Sequence, residues 1–122
     1  MSETTPRTVD KPWGRELWFA HTDRYAGKLL YVSKGERLSL QFHEHKDETS
    51  YLLAGRALIT QGAGESLDER ILEQGAVWRN EPMLVHTIEA LVDTIVVEVS
   101  TPELDDVVRL SDRYGRAEPA AH

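Results

Sequence analysis

The sequence predicts an all-β sandwich or barrel. Short apolar or alternating runs recur along the chain, turn residues separate them every 8–12 residues or so, and no stretch sustains a 3.6-residue period. Residues 16–20 are aromatic-rich, bounded by Gly14 and the turn His21-Thr22-Asp23. Residues 27–33 are apolar and end at Lys34-Gly35. Residues 37–43 alternate, with Leu38, Leu40 and Phe42 on one side and Ser39, Gln41 and His43 on the other. Residues 50–54 and 57–61, separated by Gly55, read as a hairpin; Gly62, Gly64 and Ser66 mark a loop. Short strands follow at 70–73 and 77–79, then longer ones at 84–90 and 94–100 with Asp93 between them. Thr101-Pro102 is the one helix-start signal, enough for a single turn, and 107–110 reads as a closing strand.

The organisation expected is one domain over residues 11–116, a flexible polar arm over 1–10 and a frayed tail over 117–122. The chain lacks cysteine, so it has no disulfide framework and no thiolate ligand, which fits a cytoplasmic setting. No apolar run approaches the roughly 20 residues of a membrane span, and the first residues lack a signal-peptide core. With 14 basic and 21 acidic residues the net charge is -7, which disfavours nucleic acid as a partner. A small anion is compatible, because a few local cations override net charge inside a cleft.

The chemistry concentrates between Gly35 and Gly55. Gln41, His43 and His45 are two apart, so an extended strand projects them from one face; Glu48 follows a short loop. Imidazole and carboxylate together suit a divalent first-row metal: Zn, Mn, Fe, Co or Ni. His86 shares a strand face with Leu84 and Ile88, which aims it into the interior. Singly, each has an ordinary explanation: a solvated strand end, a core histidine, a surface acid. Their joint spacing points to a metal site. Glu98, in a strand of almost entirely β-branched residues, either faces the pocket or stands on the outside. Arg79, Lys28, Lys46 and Tyr31 are candidates for holding a phosphate or hydroxyls, with surface exposure as the alternative. Arg109 and Arg113 read as ion-pair partners of Asp105, Asp106 and Asp112.

These motifs resemble those of the cupins. Gly35, His43-x-His45, Glu48 and Gly55 are similar to the first cupin motif, and Gly75, Pro82 and His86 to the second. Lys11-Pro12-Trp13-Gly14, the run Leu38 to His43 and the block Val107 to Arg116 resemble the cupin module of type II mannose-6-phosphate isomerases. In many bacteria that module follows a mannose-1-phosphate guanylyltransferase domain. The likeness runs from about Val9 to Arg116 and does not extend to the nucleotidyltransferase domain, whose activity is not carried over. It implies a double-stranded β-helix (jelly-roll β-barrel). It also implies a metal centred on His43, Glu48 and His86, with Gln41 and His45 competing for a fourth place. Two departures border the expected pocket. Ser50 stands where the module usually has an aromatic residue, and Glu81-Pro82-Met83 replaces the usual Pro-x-Gly.

The resemblance implies a sugar-phosphate isomerase acting on mannose 6-phosphate and fructose 6-phosphate, with Glu98, or Glu48 if it is not a ligand, as proton carrier. The alternatives are another metal-cupin enzyme, such as a dioxygenase or epimerase-like enzyme, and a non-enzymatic sugar-binding module. If Gln41 and His43 face the lumen, Leu38, Leu40 and Phe42 form an outer apolar face. The segment with Trp13, Trp18 and Phe19 or a second subunit then covers it, and a homodimer is expected.

Overall fold

A computed structural model describes residues 3–63, 65–103 and 105–117. Eleven strands are present among them: β1 (Arg7–Lys11), β2 (Gly14–His21), β3 (Ala26–Val32), β4 (Leu40–Phe42), β5 (Glu48–Ala54), β6 (Arg56–Ala63), β7 (Ser66–Glu73), β8 (Val77–Asn80), β9 (Val85–Ala90), β10 (Thr94–Ser100) and β11 (Val108–Ser111). They form a six-stranded sheet, β1-β2-β3-β10-β5-β8, and a five-stranded sheet, β11-β4-β9-β6-β7. Every pairing is antiparallel. The two sheets enclose the core in an all-β jelly roll. Among the described residues no helix is long and apolar enough to cross a membrane.

The period of two is clearest in β10, where Thr94, Val96 and Glu98 are buried and the residues between them are not. The inward apolar positions of both sheets meet as one cluster, including Leu30, Leu52, Ile59, Trp78, Ile88 and Val96. Each such side chain contributes roughly 1.5–3 kcal/mol by leaving water. Trp13 joins the same cluster from the β1–β2 turn. Gly14 makes that turn possible: its φ is +150°, and a Cβ would lie 1.8 Å from the Tyr31 carbonyl oxygen.

Several expectations are corrected. β5 and β6 are not a hairpin: β5 pairs with β10 and β8, and β6 with β7 and β9. The chain changes sheets at Gly55, where φ is +102° and a Cβ would meet the Asp93 carbonyl at 2.6 Å. The true hairpin is β6–β7, whose strands absorb Gly62 and Ser66 from the expected loop. The strand read at 37–43 is regular only at Leu40–Phe42, so the alternation breaks and Leu38 packs against the core. Arg7–Lys11 pair with β2, so the expected arm over 1–10 is strand from residue 7 onward. Thr101-Pro102 opens no helical turn among the described residues; Leu104 and most of the expected tail, 118–122, lie outside them.

The uncovered apolar face is also not where the alternation of β4 put it. Leu40 and Phe42 are half-buried. Tyr51, Leu53, Val77 and Val99 are exposed on the outer side of the six-stranded sheet instead. Nor do the aromatic residues near the N-terminus cover β4. Trp13 is core, Trp18 lines an internal cavity, and Phe19 is exposed.

Candidate metal centre

The registers build the site. Across the six-stranded sheet, Trp18 pairs with Lys28, Lys28 with Glu98, Glu98 with Ser50, and Ser50 with Trp78. The neighbouring inward row is Leu30, Val96 and Leu52. One row is therefore mainly polar and the next apolar. The polar row faces Gln41 and His86, which pair across β4 and β9 in the other sheet. Glu48, at the start of β5, and His43, just after β4, complete that end of the lumen.

His43, Glu48 and His86 are all buried, and one ligand-type atom from each lies within 4.8 Å of the others. His43 Nε2 is 3.0 Å from Glu48 Oε1, and His86 Nε2 is 3.8 Å from Glu48 Oε2. Neither Nε2 has a partner in hydrogen-bond geometry, despite the closeness of the carboxylate. Both Nδ1 atoms are engaged with backbone carbonyls, His43 with Asp106 and His86 with Leu84. A carbonyl can only accept, so each Nδ1 carries the ring proton and each Nε2 turns its lone pair inward. Two orphaned imidazole nitrogens and a carboxylate, with the far nitrogens held by carbonyls, are the donor chemistry of a divalent-metal site. The residues present fit such an ion.

Charge state supports this. Burial lowers the pKa of His86 and keeps it neutral, as a ligand must be. Burial alone would raise Glu48, but its neighbours, a hydrogen bond from Glu98 and the charge of Lys46 among them, outweigh it and hold the carboxyl well below its usual range. Asn80 Nδ2 donates to Glu48 Oε2 at 3.1 Å and is itself held by Gln61. Glu98 behaves oppositely: burial and the charge of Glu48 push its pKa up against the pull of Lys28 and Lys46.

From this centre a ladder of alternating charge runs through the lumen. Lys46 Nζ lies 3.6 Å from Glu48 and 3.8 Å from Glu98. Lys28 Nζ lies 3.4 Å from Glu98 and 2.9 Å from Glu16, and Lys11 reaches Glu16 at 3.9 Å. Lys28 also sits over the Trp18 ring, whose Nε1 donates to Glu16. Burial would lower the pKa of Lys28, but Glu98 and Glu16 outweigh it and raise it. A cavity of about 110 Å³ follows the ladder, lined also by Gln41, Ser39, Arg109 and Arg116.

The candidates thus separate. Gln41 lines the cavity, with its Oε1 accepting from Ser39. His45 is exposed on the turn after β4. Lys28, Lys46 and Glu98 are inside. Arg79 is exposed and paired with Asp47 through two bonds, and Tyr31 lies under Arg15 away from the cavity. Arg113 bonds Glu89 and the Gly35 carbonyl rather than the nearby acids. Among the described residues Arg109 forms no ion pair, and its buried Nε has no partner. Sequence reasoning missed Glu16, Asn80 and Asp106. Glu16 was detectable: an acid on the same strand face as Trp18 is a buried-acid signal. The other two act across the chain and leave no local pattern.

Comparison with known proteins agrees with this geometry. The family described as Mannose-6-phosphate isomerase C-terminal matches residues 2–112. A mannose-1-phosphate guanylyltransferase of Escherichia coli K12 is 35% identical over 120 residues, covering 90% of this chain and 23% of that protein. The chain therefore spans about a quarter of the length of that relative. In structure the chain is similar to CapF, a capsular polysaccharide assembling protein of Staphylococcus aureus. The TM-score is 0.75 at 19% identity, covering 90% of this chain and 34% of the other. Oxalate decarboxylase of Bacillus subtilis, an enzyme with Mn(II) centres, gives a TM-score of 0.73 at 19% identity, covering 84% and 29%. The two structural likenesses concern the fold.

Proposed function

The chain belongs to the mannose-6-phosphate isomerase C-terminal family, and on that premise we propose that it is a metal-dependent sugar-phosphate aldose–ketose isomerase. The substrate pair is mannose 6-phosphate and fructose 6-phosphate. One observation carries the reading: the His43–Glu48–His86 group lies beside a second buried carboxylate, Glu98, in a cavity rimmed by cations.

A divalent ion held by His43, Glu48 and His86 would supply Lewis-acid polarisation of the sugar oxygens when bound; of the two candidates for a fourth place, Gln41 lines the same cavity while His45 is exposed. Mn is one choice beside Zn, Co, Ni and Fe. Glu98 carries the proton between adjacent carbons. Its raised pKa suits taking a proton and returning it, and its Oε2 is bonded to no donor. Lys28 and Lys46 flank it and stabilise its charged form. The cavity is smaller than the roughly 300–1,000 Å³ of pockets that enclose a whole ligand. The sugar therefore enters by its reacting end, and its phosphate rests at the rim with Lys11, Arg109 and Arg116. The free Nε of Arg109 is a spare donor for it.

Other metal-cupin chemistry is the second reading. Ser50, small and without a hydrogen-bond partner beside Glu98, favours it by leaving room that an aromatic residue would fill. The test is a coupled assay for fructose 6-phosphate, on protein stripped of metal and reloaded separately with Zn, Mn, Co, Ni and Fe(II). Metal-dependent turnover is expected. Proven metal uptake without turnover refutes the isomerase, and oxygen consumption only in the iron form establishes an oxygenase instead. The same preparation is a homodimer in this reading, joined through the apolar outer face of the six-stranded sheet. A monomeric mass by light scattering at micromolar concentration refutes that.

A further inference from the structure

The turn between β4 and β5 carries His43 and Lys46 and delivers Glu48, yet most of its backbone has no strand partner. Amides outside a ladder take side-chain, backbone or water partners instead. Here the amides of Glu44, His45 and Lys46 converge on the carboxylate of Asp106, at 2.9, 2.7 and 2.9 Å. Three successive N–H groups closing on one anion form a nest, a strong and directional arrangement. The backbone carbonyl of the same Asp106 accepts the Nδ1–H of His43 at 2.5 Å. One residue therefore grips the turn with its side chain and the histidine ring with its main chain.

The consequence is geometric. Asp106 lies between strands, in the irregular stretch before β11. Its carbonyl is kept against His43 by the three amide bonds of its own side chain. That carbonyl selects the tautomer and rotation of the ring, and so sets where Nε2 points. We propose that Asp106 is the positioning residue of the metal centre, clamping the 44–46 amides so that its carbonyl aims His43 Nε2 at Glu48 and His86. This rests on reading those three residues as metal ligands. The clamp also ties the C-terminal segment, whose Val107 and Arg109 wall the cavity, to the ligand set.

The test titrates Mn(II) into the full chain and its variants, with thermal unfolding and ring ¹⁵N–¹H spectra of metal-free protein as parallel readouts. Asp106→Ala is expected to weaken Mn(II) binding 10- to 100-fold or so, as loss of outer partners typically does. It also loses the protected His43 Nδ1–H resonance. Asp106→Asn keeps one acceptor oxygen and falls between, at roughly 3- to 10-fold. Arg113→Ala loosens the C-terminal segment at Gly35 and Glu89 but touches no ligand. It is expected to lower the melting temperature while leaving Mn(II) affinity within about twofold and the His43 resonance intact. Wild-type affinity and an intact Nδ1–H signal in both Asp106 variants overturn the proposal. Should Asp106→Ala fail to fold, Asp106→Asn decides alone, an intermediate loss supporting the clamp and wild-type behaviour overturning it. His86→Ala separates the two readings. If it still binds Mn(II) like the wild type, the metal reading fails, and the metal-free His43 resonance alone judges Asp106.

Discussion

Replacing Lys28 by Met tests the charge ladder with the least change of shape. Methionine keeps most of the side-chain volume and removes the ammonium, together with its contact over the Trp18 ring. That ammonium lies 2.9 Å from Glu16 and 3.4 Å from Glu98, and the Lys28 side chain is 13% exposed, so solvent screens it little. Stripping one partner from a buried ion pair costs about 3–5 kcal/mol, because the remaining charge is left uncompensated. Each acid retains a weaker cation, Lys11 at 3.9 Å from Glu16 and Lys46 at 3.8 Å from Glu98. The low end, about 3 kcal/mol at pH 7, is therefore expected. Urea unfolding reads this as a midpoint lower by roughly 1–3 M, for slopes typical of a small domain.

The pH dependence follows from the same two acids. In the wild type, burial would raise the pKa of Glu16 but Lys28 outweighs it and the pKa is lowered. That stabilisation is present above the unfolded value near 4.5 and is lost as pH falls through the lower folded value. Without Lys28 both acids have higher folded values. The cost of Lys28→Met is then full well above them and shrinks toward pH 4.5 as the acids take up protons. Adding Glu98→Gln should recover about 1–2 kcal/mol, a coupling expected of direct contact. A loss below about 1 kcal/mol at pH 7, or the same loss at pH 7 and pH 4.5, refutes the argument.

Other outcomes follow from single positions. His86→Ala should abolish both metal retention, measured by elemental analysis after dialysis, and turnover; retained turnover without metal refutes the mechanism. Met83 is a non-glycine residue at φ +71° and is exposed, so Met83→Gly should relieve backbone strain. Offset by glycine's greater unfolded-state entropy, the gain is about 0.5–1 kcal/mol, seen as a melting temperature a few degrees higher. Gly55→Ala should cost about 2 kcal/mol or more, because its Cβ has to displace the Asp93 backbone; unfolding curves that superimpose on wild type contradict this. The metal-free protein should lose stability as pH falls below about 6.5. Buried His86 has a lowered folded pKa, so the unfolded chain binds its proton first, and calorimetry at pH 7.5 and 5.5 measures the difference.

The strands that carry the site were legible because each is bounded by turn residues and has a period of two. β9 and β10 emerge nearly at their true limits for that reason. The pairing was not legible. Gly55 between two apolar runs is the local signal of a hairpin, and only the close approach of Asp93 and Thr94 shows that it marks a change of sheet. Likewise His43, Glu48 and His86 stand out by residue type and spacing. Choosing between Gln41 and His45 required knowing that regular strand stops at Phe42, which carries His45 outward. Arg79 and Tyr31 looked equal to Lys28 and Lys46 because periodicity reports which side a residue takes only once the inner side is known. The clamp by Asp106 spans 60 or more positions of chain and has no local signature.

The change of sheets at Gly55 has a mechanical corollary. Glu48 belongs to the six-stranded sheet and His86 to the five-stranded one, and His43 follows directly on the latter's strand β4. A cation gripped by all three acts as a rivet through the sandwich, joining two layers that no ladder hydrogen bond crosses at that point. Its binding free energy then adds to the cohesion of that end alone. Withdrawing it should let the jaws of the barrel part there first, with amide exchange quickening around β4 and the start of β5 while the Leu30–Leu52–Val96 end stays shut.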